Sequence, residues 1–178
     1  MTIDDKNIIE IIRTKPEQGF KLLLEKYSEP IYWHIRRLVV SHDDAQDAVQ
    51  ETFIRIYRSF SQFREESSFR GWIFKIATNE ALRVIRKQKQ DCDSIDEDTF
   101  TEILTASSYV DYTDLETIRL QKAIHTLPAK QQLVFCLRYY DELSYAEIAE
   151  IAGSTESTAK VNFHIAKEKV INFLKKND

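Results

Sequence analysis

The sequence predicts an all-α protein of two helical domains joined by an acidic linker, and three observations predict it. Only three glycines and three prolines occur in 178 residues, and no Asn-Gly or Asp-Gly pair stands between alternating apolar runs, so β-hairpins have no turn signal. Apolar residues recur at helical spacing over long stretches. Charge is segregated: nine of the 29 acidic residues fall between residues 90 and 118, where there is no Lys or Arg. The remaining chain holds 20 acids against all 25 bases, so a formal charge of -4 conceals two modestly basic bodies flanking one acidic connector.

The first body, residues 1–89, reads as a run of helices. Pro16 and Pro30 suit first-turn positions, and Phe20, Leu23, Leu24, Tyr27, Ile31, His34, Ile35 and Leu38 recur on one face. Ser41 with Asp44 three residues later has the spacing of a capping box and opens a helix reaching about Phe60. Ser67 is placed to cap a third long helix, from Phe69 to about Lys87. After Lys89 the periodicity fails, and residues 90–112 read as an acidic linker. Thr113 with Glu116 has the capping-box spacing again and starts the second body, 113–178, on a helix whose apolar face is Leu115, Ile118 and Ala123. Pro128 then sits at the first position of the next helix.

The segment LSYAEIAEIAG, residues 143–153, is a short helix with both ends marked. Ser144 and Glu147 make a capping box, and Gly153 is placed to end the helix in a left-handed turn. Alanines on its apolar face allow a second helix to cross closely, as the first half of a helix-turn-helix requires. The second half follows at once, capped by Ser154 or Thr155. Ala159, Phe163, Ala166, Val170 and Leu174 share one narrow arc and face the core. The opposite arc carries Ser157, Lys160, Val161, His164, Ile165 and Glu168, the face a recognition helix offers to the major groove.

Two further patterns bear on function. In the helix over 42–60, Val49, Phe53, Ile56 and Phe60 make the apolar stripe, while Asp43, Asp47, Gln50, Glu51, Ile54 and Arg58 lie opposite. Carboxylates at i, i+4 and i+8 repel one another, so that row is either a solvated face or the mate of a basic partner. From Arg55 to Lys89 the sign reverses, with nine bases against three acids and with Phe60, Phe63, Phe69, Trp72 and Phe74 interleaved. Basic side chains among aromatics suit a single strand, whose phosphates they neutralise and whose bases can stack. The bland reading is that Phe69 and Trp72 are simply core.

Several classes are excluded as expectations. The sequence shows no Ser/His/Asp constellation, Gly-rich phosphate loop or metal-ligand cluster, so no enzyme, cofactor or metal site is expected. Cys136 reads as core and Cys92 as a free thiol on a polar segment. No window approaches the ~18 apolar residues of a membrane helix, which points to the cytoplasm without membrane insertion.

Taken together, DDAQDAVQETF (43–53), FREESSFRGWIFKIATN (63–79), LPAKQQ (127–132) and the module from Leu143 resemble, in collinear order, a bacterial extracytoplasmic-function (ECF) sigma factor of the sigma-70 superfamily. The resemblance implies a promoter-specificity subunit of RNA polymerase. It assigns Asp43, Asp47, Gln50, Glu51 and Ile54 to the clamp helices of the polymerase β′ subunit. Arg64, Ser67, Phe69, Trp72, Lys75, Asn79, Arg83, Arg86 and Lys87 would read the non-template strand of the −10 element, with a flipped base near the 61–68 loop. Thr155, Ser157, Thr158, Lys160, Val161, His164, Ile165 and Lys167 would read the −35 element, close to the β flap. The linker would enter a basic channel of the polymerase, and an anti-sigma factor is an expected partner.

The chain departs from the family where arginine is common in the recognition helix: Asn162 and Ile165 stand there, and Ser157 replaces the usual glycine. Fewer arginines imply a shallower salt dependence of duplex binding. Two other readings stay open on the sequence: a stand-alone helix-turn-helix regulator with an N-terminal sensor domain, and a helical adaptor that binds protein only.

Overall fold

A computed structural model of the chain describes residues 3–39, 41–91 and 114–176. Among these residues the structure is helical without strands. In chain order the helices are α1 (Asp5–Thr14), α2 (Pro16–Leu38), α3 (His42–Ser59), α4 (Phe69–Asp91), α5 (Leu115–His125), α6 (Ala129–Tyr139), α7 (Tyr145–Ala152) and α8 (Glu156–Lys176). One 3-10 turn, Phe60–Gln62, follows α3.

In the first group α1 buries Ile8, Ile9 and Ile12 against α2. The approach is close enough that a Cβ on Gly19 would meet the Ile12 backbone, which only glycine avoids. Pro16 opens α2 as expected, but Pro30 lies inside that helix rather than in a first turn. The reason is visible in the burial pattern. Leu23, Tyr27, Ile31, His34, Ile35 and Leu38 form one continuous buried face, while Pro30 sits on the exposed side. Burying that face outweighs the one backbone hydrogen bond proline cannot donate.

Ser41 caps α3 by accepting from the Asp44 N–H at 3.4 Å. The buried stripe of α3 is Ala45, Ala48, Thr52 and Ile56, rotated from the expected Val49, Phe53 and Phe60, which are half-buried. Small side chains let α4 pack close, and the larger residues then flank the contact. The α4 N-cap is Ser68, not Ser67: Ser68 Oγ accepts from the Gly71 N–H at 3.0 Å, while the Ser67 hydroxyl donates to the Arg64 carbonyl. Phe69, Ile73, Phe74, Ala77 and Ala81 make the buried face of α4.

In the second group Asp114 caps α5, accepting from the Glu116 N–H; Thr113 lies outside the described residues, as does Cys92. Leu115 is 72% exposed and Ile118 is half-buried, so the α5 core face is carried by Ala123, as expected, and by Ile124. Pro128 is the N-cap of α6 rather than its first residue. Cys136 is buried on α6, and that burial pushes its thiol up to about 12, which leaves it an unreactive core residue.

The two groups touch through α2 and α4 on one side and the α6–α7 corner on the other. A polar set makes this contact. The Asp141 carboxylate accepts from His34 Nδ1 at 2.7 Å and from Arg37 Nη1 at 3.3 Å, and its backbone carbonyl accepts from Arg70 Nη2 at 2.6 Å. His34 Nε2 lies 2.9 Å from Thr78 Oγ1, and the Ser68 hydroxyl donates to Glu147 at 2.6 Å. His34, Thr78 and Asp141 are all buried.

Candidate nucleic-acid interface

Three surfaces carry the predicted site residues. The first is the outer face of α3. Asp43, Asp47, Gln50 and Ile54 are exposed along it, whereas Glu51 is half-buried, pairs with Arg55 at 3.4 Å and lines the groove between α3 and α4 rather than the outer face alone. The packing of α3 explains this row: with Ala45, Ala48, Thr52 and Ile56 turned inward, the positions on the opposite arc, Asp43, Asp47, Gln50 and Ile54, face out. Asp43 and Asp47 remain mutually repulsive at i, i+4, a cost that a basic partner would relieve.

The second surface is a groove of about 570 Å³ between α3 and α4. Arg55 and Arg58 on one wall face Asn79, Arg83 and Arg86 on the other, with Ser59 and Gln62 at its end. Asn79, Arg83 and Arg86 are therefore brought together as expected. Arg64, Lys75 and Lys87 lie outside the groove lining; Arg64 and Lys87 are exposed and Lys75 is half-buried. Phe69 is buried, and it packs with Phe60, Phe63 and Trp72 at centroid separations of 5.1–6.4 Å. That aromatic cluster fixes the chain between α3 and α4, and half-buried Trp72 keeps part of its ring at the surface. Arg55, Arg58, Gln62 and Glu80 are groove residues that the sequence reading left out of the strand-reading set. The i, i+4 pair Glu51/Arg55 and the i, i+3 pair Glu80/Arg83 were visible in sequence, but the contact between them needs the register of α3 on α4.

The third surface is the helix-turn-helix. Ser144 Oγ accepts from the Glu147 N–H at 3.2 Å and Glu147 returns the bond to the Ser144 N–H at 2.8 Å, completing the predicted capping box. Gly153 ends α7 at φ 63°, the left-handed conformation predicted for it. Thr155 Oγ1 accepts from the Thr158 N–H at 3.1 Å and so caps α8. Ala159, Ala166 and Val170 are buried, and Phe163 stacks on Phe135 at 5.9 Å. The opposite face is open: Ser157, Lys160, His164 and Lys167 are exposed, Val161 is 57% exposed and Ile165 is half-buried. Lys160 Nζ lies 5.7 Å from the Tyr145 ring, and His164 pairs with Glu168 at 3.4 Å. Among the described residues no group of three or more His, Cys, Asp or Glu could hold a metal ion. No described helix is long and apolar enough to cross a membrane.

An exposed face on the second helix of a helix-turn-helix, in a chain that also carries a cationic groove and an acidic helix face, is the arrangement of a DNA-binding protein. Comparison with known proteins places it more closely. The family description Sigma-70 region 2 matches residues 23–90, and Sigma-70, region 4 matches residues 117–170. The ECF RNA polymerase sigma factor SigW of Bacillus subtilis is 32% identical over 173 residues, covering 92% of each chain. The ECF RNA polymerase sigma-E factor of Haemophilus influenzae is 30% identical over 181 residues, covering 96% of this chain and 95% of that one. Two solved structures share the fold. The sigma factor RpoE of Bartonella quintana, crystallised with the anti-sigma factor NepR, gives a TM-score of 0.73 at 24% identity, covering 89% of this chain and 98% of that one. CnrH in complex with the cytosolic domain of CnrY gives 0.74 at 18% identity, covering 98% and 99%. The chain belongs to the extracytoplasmic-function family of RNA polymerase sigma factors, the promoter-specificity subunits of the sigma-70 superfamily.

Proposed function

We propose that the chain divides its work between residues 1–89, which dock on core polymerase and capture the opened −10 strand, and residues 113–178, which read the −35 duplex. Residues 90–112 are the connector, directed into the polymerase. The acidic outer face of α3, with Asp43, Asp47, Gln50, Glu51 and Ile54, is the docking surface for a basic helical partner on the polymerase. The arginine-lined groove takes the single strand: its phosphates meet guanidiniums, and Asn79 offers an amide to a base edge. The outer face of α8 enters the major groove, where Val161 and Ile165 meet thymine methyls and Lys160 and Lys167 meet phosphates. The protein acts in the cytoplasm, performs no chemistry of its own, and is held in check by an anti-sigma factor.

The observation that carries this reading is the juxtaposition on one helix pair of an acidic outer face and a cationic inner groove. A stand-alone regulator has use for the helix-turn-helix but none for that pair. Run-off transcription by core polymerase on genomic fragments tests it. Adding the protein should direct initiation at new sites, and Asp47→Lys should abolish both that initiation and the complex with core. Initiation that persists undiminished in the Asp47→Lys variant would remove α3 from the docking role.

A further inference from the structure

Glu80 is an acid inside a site that calls for cations. Of the three acids in the basic stretch from Arg55 to Lys89, Glu65 and Glu66 are exposed, whereas Glu80 is only 3% exposed. It lines the groove between α3 and α4 together with four arginines. Its Oε1 lies 2.5 Å from Arg55 Nε on α3, and its Oε2 lies 3.4 Å from Arg83 Nη1 one turn along α4. The two oxygens are thus divided between arginines from opposite walls. Both arginines keep much of their surface open, at 40% for Arg55 and 59% for Arg83.

By charge alone a carboxylate here opposes phosphate binding, so its presence calls for a different gain. Arginine side chains have many rotamers, and a groove must freeze them before they can grip a strand. A buried carboxylate that holds one nitrogen of each guanidinium in an ion pair does that freezing in advance and leaves the other N–H groups for a ligand; the contact to Arg55 Nε is such a pair without hydrogen-bond geometry. Glu51, which also lines the groove, supports the same arrangement by pairing with Arg55 at 3.4 Å.

We propose that Glu80 is a positioning residue for the captured strand: it holds Arg55 and Arg83 across the groove in the geometry that phosphates of single-stranded DNA require. This rests on the reading of the groove as the strand site. It carries an unusual sign, because replacing an acid in a phosphate-binding groove would ordinarily strengthen binding.

The test uses the full chain assembled with core polymerase and a fluorescent, randomised single-stranded DNA as probe, titrated across a salt series. Glu80→Gln should weaken binding roughly five- to tenfold and flatten the salt dependence by about 0.7 units, the share of one phosphate contact on a single strand. The neutral amide replaces one of the two oxygens with an NH2 donor, so it turns a donor toward one of the two guanidiniums and loses that pair. Thermal melting and core affinity should stay near those of the wild type. In a chain already carrying Arg55→Ala and Arg83→Ala, Glu80→Gln should produce no further loss.

Tighter binding by Glu80→Gln would show that the carboxylate merely repels the strand. Unchanged binding with a lower melting temperature would show a plain tie between α3 and α4. An equal loss in the background lacking both arginines would show that Glu80 acts by another route. Each of these overturns the proposal. The groove reading itself fails separately, if Arg55→Ala with Arg83→Ala leaves strand binding intact.

Discussion

The groove between α3 and α4 and the outer face of α8 are both open surfaces, but they are built on opposite plans. The groove is crowded with charge and internally paired, with Glu51, Arg55, Glu80 and Arg83 forming a chain of ion pairs along it. The α8 face is less crowded with charge, with exposed Val161 between Lys160 and His164 and exposed Ser157 one turn before Lys160. A flexible strand presents phosphates in no fixed arrangement, so the protein must supply the order. A duplex arrives ordered, and the protein need only match base edges on a rigid helix. On the proposed assignment, with the strand in the groove and the duplex on α8, the difference between the two surfaces follows from that difference in their ligands.

The largest expected effect concerns what joins the two regions. Asp141→Ala removes the acceptor that buried His34 and partly buried Arg37 share, so it should destabilise the chain by about 3 kcal/mol in denaturant unfolding. A loss under about 1 kcal/mol would mean that the two helical groups need no such contact in the free protein.

Salt dependence sharpens the comparison next. Arg58→Ala with Arg86→Ala should flatten the slope of single-strand binding by about 1.4 units, whereas Lys160→Ala with Lys167→Ala should flatten that of duplex binding by about 1.8. Anisotropy titrations read both, and each pair should leave the other ligand's slope unchanged. An unchanged duplex slope in the lysine pair would remove the phosphate role of α8. A smaller effect belongs to Val161→Ala, which should cost about 1 kcal/mol of discrimination for thymine at one duplex position, seen by comparing binding to thymine and uracil duplexes.

The smallest effect is one of pH. Burial alone would raise the Glu147 carboxyl, but hydrogen bonds from Ser68 and from the Ser144 backbone and hydroxyl, with Arg70 nearby, hold it below the usual carboxylate range. A depressed folded value contributes stability above the unfolded value near pH 4.3, and that contribution disappears as pH falls through the folded one. Melting followed from about pH 5 down to about pH 3 should therefore fall more steeply for the wild type than for Glu147→Gln.

The sequence made the second region more legible than the first. Ser144, Glu147 and Gly153 are local signals whose partners lie within four residues, so the helix-turn-helix could be placed without knowledge of the fold. The groove could not. Its chain of ion pairs joins residues 25 positions apart through the register of α3 on α4, and that register is set by Ala45, Ala48 and Thr52, not by the larger Val49 and Phe53. Pro30 misled for a related reason: the preference of proline for a first turn is weak beside a buried face that runs through it. The contact of Asp141 with His34 spans 107 positions and left no local trace.

The division of labour is tested most directly on one promoter complex, by measuring strand opening and duplex protection together with holoenzymes carrying each set of substitutions. Permanganate reactivity of unpaired thymines reports opening, and nuclease protection reports the upstream duplex. The groove variant, Arg58→Ala with Arg86→Ala, should retain upstream protection while losing most of the opening signal. The α8 variant, Lys160→Ala with Val161→Ala, should lose upstream protection first and open normally once enough holoenzyme is supplied. If the groove variant loses upstream protection and the α8 variant leaves it intact, the assignment of single strand to the groove and duplex to α8 is wrong.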